Sequence, residues 1–299
     1  MTDSNTPSLQ FFDAPNPHGA GGTHKLAFYE WGSPYAPPVL CVHGLTRNGR
    51  DFDFLARKLT EHYRVIAIDM PGRGKSESLR DIRWYENGTY MQDALALAER
   101  MNLGKFDWIG TSMGGIIGMM IASLVPGKIT RLVLNDVGAL LPKEGLMRIG
   151  DYVGKKQHFS GMDEAIPYVQ RIMAPFGVKE DAHWAHVFEH SFIRHADGQV
   201  SFAYDPGIGD AFRLAASEIE KLEDISLWML WESIDCPTLI LRGAESDILT
   251  REVAEKMCEM HENATLAEFP GIGHAPTLLE DGQIKVVADW LEAHPLKGC

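Results

Sequence analysis

The run Gly110-Thr111-Ser112-Met113-Gly114 sets a serine between two glycines. A short apolar strand pattern precedes it and an apolar helix pattern follows. A tight strand-to-helix turn of this kind needs small neighbours, lifts the hydroxyl off the sheet and leaves helix amides beside it. A serine hydroxyl is a weak nucleophile at neutral pH and needs a base. Of the twelve histidines, His274 lies in the small-residue loop Pro270-Gly271-Ile272-Gly273-His274, between the last predicted strand and the last predicted helix. That position belongs to the same sheet edge as Ser112. A carboxylate should orient the imidazole and stabilise its charge. Asp247 ranks first, because one helix and one strand separate it from His274 in the order Ser, Asp, His. Asp136, at the end of the strand after the serine's helix, ranks second and Glu245 third. His43-Gly44-Leu45 follows another predicted strand, and such a turn would aim the Leu45 amide, paired with that of Met113, at a developing oxyanion. Together these residue types fit acyl transfer.

Elements that could position these groups are legible as alternating short β-rich runs and helical stretches, the pattern of an α/β fold with a mostly parallel sheet. Strands are predicted at 24–30, 39–42, 65–69, 108–109, 132–135, 238–242 and 266–269. Helices are predicted near 53–61, 89–101, 115–125, 252–260 and 278–293. Between 137 and 232 the alternation stops, and the chain turns rich in Met, aromatic residues and His, with a helical pattern. The economical organisation is a core from 1–136 and 233–299 interrupted by a helical cap, 137–232.

These segments, with the turn Asp69-Met70-Pro71-Gly72-Arg73-Gly74-Lys75-Ser76, resemble the α/β-hydrolase family over roughly 24–136 and 233–293. The resemblance implies a serine hydrolase with Ser112 as nucleophile, Asp247 as acid, His274 as base and the Leu45 and Met113 amides as oxyanion donors. The family does not fix the substrate; a small to moderate carboxylic ester or lactone, cleaved without a cofactor, is the leading expectation. A second member chemistry is C–C bond hydrolysis of a vinylogous 1,5-diketone ring-fission product. That substrate carries a carboxylate and would require a pocket arginine, with Arg47, Arg171 and Arg194 as candidates. A non-catalytic receptor of the same fold is the third reading, and the complete set of triad residues weighs against it.

Other features narrow the field. The formal charge of −13, from 41 acidic and 28 basic residues, opposes a nucleic-acid or anionic-membrane partner. No leader and no spanning apolar run is visible, so a cytoplasmic protein with a small-molecule substrate is expected. Oligomeric state, a homodimer included, stays open. Cys41, Cys236, Cys258 and Cys299 show neither disulfide nor zinc spacing. Gly74-Lys75-Ser76 is not a P-loop, because Asp69 stands where that motif needs glycine. His183, His186 and His190 share a helical face, but one straight helix rarely supplies three ligands and no metal is expected. His43 either touches substrate or holds its turn. Trp184 and Phe188 either line an acyl pocket or pack within the cap.

Overall fold

The computed structural model describes residues 6–219 and 223–295, so Cys299 lies outside the described residues. The chain first builds β1 (Ser8–Pro15), β2 (Thr23–Trp31), β3 (Pro38–Val42), α1 (Asp53–Leu59) and β4 (Arg64–Ile68). It continues through α2 (Asn87–Arg100), β5 (Phe106–Thr111), α3 (Met113–Leu124) and β6 (Ile129–Asn135). An insertion follows, with β7 (Leu140–Leu141), α4 (Lys143–Gly150), β8 (His158–Phe159), α5 (Met162–Met173) and α6 (Asp181–Ser191). It ends with β9 (Phe192–Arg194), β10 (Val200–Phe202), α7 (Gly207–Ile219), β11 (Ile225–Ser226) and α8 (Trp228–Trp231). The core then resumes with β12 (Thr238–Gly243), α9 (Arg251–Met260), β13 (Ala264–Phe269) and α10 (Asp281–Ala293).

Eight strands form one sheet in the order β1-β2-β4-β3-β5-β6-β12-β13. β1 and β2 run antiparallel to their neighbours, and every pairing from β4 to β13 is parallel. Side-chain alternation along β3 explains the layering. Val39 and Cys41 enter a core with α1 and α10, whereas Leu40 and Val42 enter one with α2, α3 and α9. All four are fully buried, as a parallel strand covered on both faces requires.

Two expectations need amending. β1 was not foreseen, because it is an edge strand whose residues are mostly exposed and carry no clear apolar alternation. The insertion is not wholly helical: β8, β10 and β9 form a small antiparallel sheet, and β11 pairs with β7. Among the described residues no helix is long and apolar enough to cross a membrane.

The strand order sets the site. β3 lies between β4 and β5, so the chain crosses from one side of β3 to the other, and a crevice opens beyond the carboxyl ends of β3 and β5. Leu45 and Ser112 stand there, with Asp136 after β6 and His274 after β13.

Candidate active site

Ser112 follows β5 directly, with its backbone in the left-handed region at φ 52° and ψ −113°. The turn closes only because its neighbours lack side chains. A Cβ on Gly110 would lie 2.2 Å from the Gly114 carbonyl, and one on Gly114 would lie 2.0 Å from the Val42 carbonyl. The strain is held by α3 behind and by the Ser112 amide, which donates to the Asn135 carbonyl at 2.9 Å. Ser112 Oγ then stands 2.9 Å from His274 Nε2.

His274 Nδ1 is 2.8 Å from Asp136 Oδ2. The ring therefore donates through Nδ1 and accepts the serine proton at Nε2. This corrects the choice of Asp247. Its carboxylate turns outward to Arg148 of α4, with Oδ1 2.7 Å from Nη2, and is nearly half exposed. The Arg148 pair holds the Asp247 carboxyl below the usual carboxylate range against the effect of burial. Asp136 is fully buried and accepts two further bonds, from the Gly243 amide at 2.7 Å and the Ser246 hydroxyl at 2.5 Å. The end of β12 and the loop after it thus supply donors to Asp136 rather than the carboxylate that meets His274. Glu245, the third candidate, takes no part in this network, and its amide bonds the Ile272 carbonyl. Asn135 was not foreseen: its Nδ2 donates to the Pro276 carbonyl at 2.8 Å and ties the histidine loop to β6.

On the other flank, Gly44 packs against the nucleophile, where a methyl would come within 3.8 Å of Ser112 Cβ. Among the described residues the Leu45 and Met113 amides are spent on no hydrogen bond. His43 does not line the cavity, which corrects its reading as a substrate contact. It is completely buried, accepts from the Met70 amide through Nε2 at 3.0 Å and donates from Nδ1 to the Gly44 carbonyl at 2.7 Å. Burial depresses its pKa to about 3, so the ring is neutral and fixes the Gly44–Leu45 peptide.

The 69–76 turn supports this loop. Asp69 accepts from the Gly49 and Lys75 amides at 2.7 and 2.8 Å, and burial pushes its carboxyl up to about 6. A Cβ at Gly74 would fall 2.1 Å from Asp69 Oδ2. Ser76 Oγ donates to the Asp69 carbonyl, which gives it a place in the turn and not at the nucleophile.

A cavity of about 1170 Å³, open mouth included, lies between the sheet edge and the insertion, with Ser112 and His274 on its wall. Val169, Ile172, Met173, Phe176 and Val187 give it an apolar face. Trp184 and Phe188 are not among its walls; they stack on each other at 5.3 Å within the packing of the insertion. Of the three arginines, only Arg47 reaches the cavity; the Nε and Nη2 edge of its guanidinium binds Asp51, and Nη1 donates to the Ser191 hydroxyl at 2.5 Å. Arg171 lies over the Tyr168 ring instead, and Arg194 is exposed on β9.

The three helical histidines separate into two groups. His183 sits with Glu180 and Glu280, while His186 and His190 sit with Asp53. Asp53 is already paired with Arg50 at 2.5 Å, so a cation there would face a guanidinium.

A family model described as the alpha/beta hydrolase fold matches residues 37–281. The 3-hydroxybutyrate-oligomer hydrolase of Cupriavidus necator is 39% identical, over 95% of this chain and 97% of that protein. A non-heme chloroperoxidase of Burkholderia pyrrocinia is 27% identical over 90% of this chain and 94% of its own. The crystal structure of an alpha/beta hydrolase from Novosphingobium aromaticivorans superposes with a TM-score of 0.82 at 33% identity, covering 96% of this chain and 98% of that one.

Proposed function

Because the chain belongs to the α/β-hydrolase family, we propose that it is a carboxylic ester hydrolase acting through an acyl-enzyme on Ser112. One observation carries the reading: the unbroken line from Ser112 Oγ through His274 to Asp136, with bonds of 2.9 and 2.8 Å. His274 takes the hydroxyl proton as Ser112 attacks the ester carbonyl, and Asp136 stabilises the imidazolium. The Leu45 and Met113 amides receive the oxyanion, and a single donor of this kind is worth about 10²- to 10³-fold in rate. Protonated His274 then gives its proton to the departing alcohol, and water repeats the cycle to release the acid. Residues 137–232 act as a cap that encloses the acyl group.

The Cupriavidus necator relative, named for 3-hydroxybutyrate oligomers, supports short hydroxyacyl esters as the first substrates to try. Carbon–carbon hydrolysis of a carboxylate-bearing diketone is the second reading. The Arg47–Asp51 pair weighs against it, because a neutral ion pair in the wall offers a substrate carboxylate little net attraction.

The test is turnover of p-nitrophenyl butyrate and ethyl 3-hydroxybutyrate, with labelling by a fluorophosphonate. Wild type is expected to hydrolyse both and to be labelled, and Ser112→Ala to lose label and turnover together. Undiminished turnover in Ser112→Ala would refute the reading. A folded wild type that takes no label would move it to a binding protein.

A further inference from the structure

Arg73 is a buried cation for which the triad gives no use. It is 1% exposed, and among the described residues it forms no ion pair. The acid of its own turn, Asp69, spends its oxygens on the Gly49 and Lys75 amides. Arg73 reaches instead into the wall behind the serine. Its Nε donates to the Leu45 carbonyl at 2.9 Å, and its Nη2 lies 3.7 Å from Met113 Sδ. Nη1 donates to the Pro71 carbonyl at 2.7 Å and to the Tyr90 hydroxyl at 2.9 Å. The guanidinium carbon lies 4.8 Å from the centre of the Tyr90 ring.

A buried charge without a counter-charge is costly, and neutral acceptors with two aromatic faces, Tyr90 and, at 5.6 Å, Tyr85, repay only part of that cost. Two of the residues it touches, Leu45 and Met113, are those whose amides are free beside Ser112. Negative charge arrives at that place only as the tetrahedral intermediate forms. In a cavity with an apolar face the field of a nearby cation is weakly screened.

We infer that Arg73 is a positioning residue for the oxyanion hole: it holds Leu45 and Met113 in place and sets an uncompensated positive charge behind their amides. The inference rests on the ester-hydrolase reading. It concerns a group that never touches the substrate, and it predicts an effect on the transition state rather than on substrate binding.

Arg73→Lys and Arg73→Gln separate charge from packing, since both shorten the fork and only lysine keeps the cation. With p-nitrophenyl butyrate, Arg73→Gln is expected to lower kcat about 30-fold with KM within about threefold, and Arg73→Lys to stay within about fivefold of wild type. Inhibition by butane-1-boronic acid, which adds to the serine as a tetrahedral anion, should weaken in parallel with kcat/KM. Equal losses in Arg73→Lys and Arg73→Gln overturn the inference, as does boronate affinity that stays constant while kcat/KM falls. If Arg73→Gln does not fold, Arg73→Met takes its place under the same comparison. A wild type without turnover or fluorophosphonate label sinks the ester-hydrolase reading, and this inference with it. A labelled, active wild type matched by Arg73→Gln sinks this inference alone.

Discussion

The carboxylate that faces His274 accepts three hydrogen bonds in a fully buried site, from His274, Gly243 and Ser246. Such an environment fixes the imidazole tautomer, and loss of the charge should be felt in the chemical step. Asp136→Asn is expected to lower kcat by about 10³- to 10⁴-fold. Asp247→Asn removes only a half-exposed pair with Arg148, so kcat should change by less than about threefold and stability by about 1 kcal/mol or less. Steady-state kinetics on p-nitrophenyl butyrate decide between them, and the reverse order of losses would return the role to Asp247. At this scale Ser112 and His274 were legible, because glycine spacing and a small-residue loop are local signals. The acid was not. Asp136 and Asp247 both follow strands at the same sheet edge, and chain order allows either. What separates them is that the end of β12 aims the Gly243 amide inward and the loop after it turns Ser246 inward and Asp247 outward, against Arg148 of α4. Ser246, one residue before the expected acid, was passed over because a serine there bears no mark of its partner.

Among the elements, the turn between β5 and α3 has the least room. α3 can start directly after Ser112 only if its first turn slides under the end of β3, and Gly114 makes that contact. Its Cβ would overlap the Val42 carbonyl, a backbone atom that cannot rotate away. Gly114→Ala should therefore move α3 and the Met113 amide with it. A loss of roughly 1–3 kcal/mol is expected, a melting point lower by about 3–10 °C, and an activity loss larger than the stability loss explains. Calorimetry beside kcat/KM measures both, and full activity at an unchanged melting point would show that β3 yields. The parallel strands were readable for the reason that makes this contact tight: buried on both faces, they appear as short continuous apolar runs. β1 and the two- and three-residue strands of the insertion lack that burial. Their pairing depends on partners remote in sequence, which no local pattern announces.

Across the whole molecule, the insertion is tied to the core by polar contacts around imidazoles as well as by apolar packing. His186 Nε2 donates to the Arg50 carbonyl at 2.8 Å, His183 meets Glu280 at 3.0 Å, and Asn48 donates to the His190 carbonyl at 2.7 Å. Burial lowers the pKa of His186, and that of His190 to about 3, as it does for His43 in the loop below. A histidine whose folded pKa is depressed stabilises the fold fully above its unfolded value near 6.5, and that contribution is lost as pH falls toward the folded value. Asp69 acts with the opposite sign. Raised to about 6 by burial, it favours the fold fully only below its unfolded value of 3.8 and loses that contribution as pH rises through about 6. Between pH 6 and 4 His43 and His190 oppose the one carboxyl and His186 adds in the same sense, so these groups together lower stability on acidification. His43 is the group to isolate, being completely buried. His43→Gln should be less stable than wild type at pH 7, since the bonds to Met70 and Gly44 are both at stake. Its stability should also depend less on pH, so that the gap to wild type closes by about 1.4 kcal/mol for each pH unit between about 6 and 4. Urea unfolding of both proteins at several pH values measures that gap. A gap that stays constant on acidification would mean that His43 titrates alike in the folded and unfolded chain, and that the neutral ring under the Leu45 loop is not what holds it.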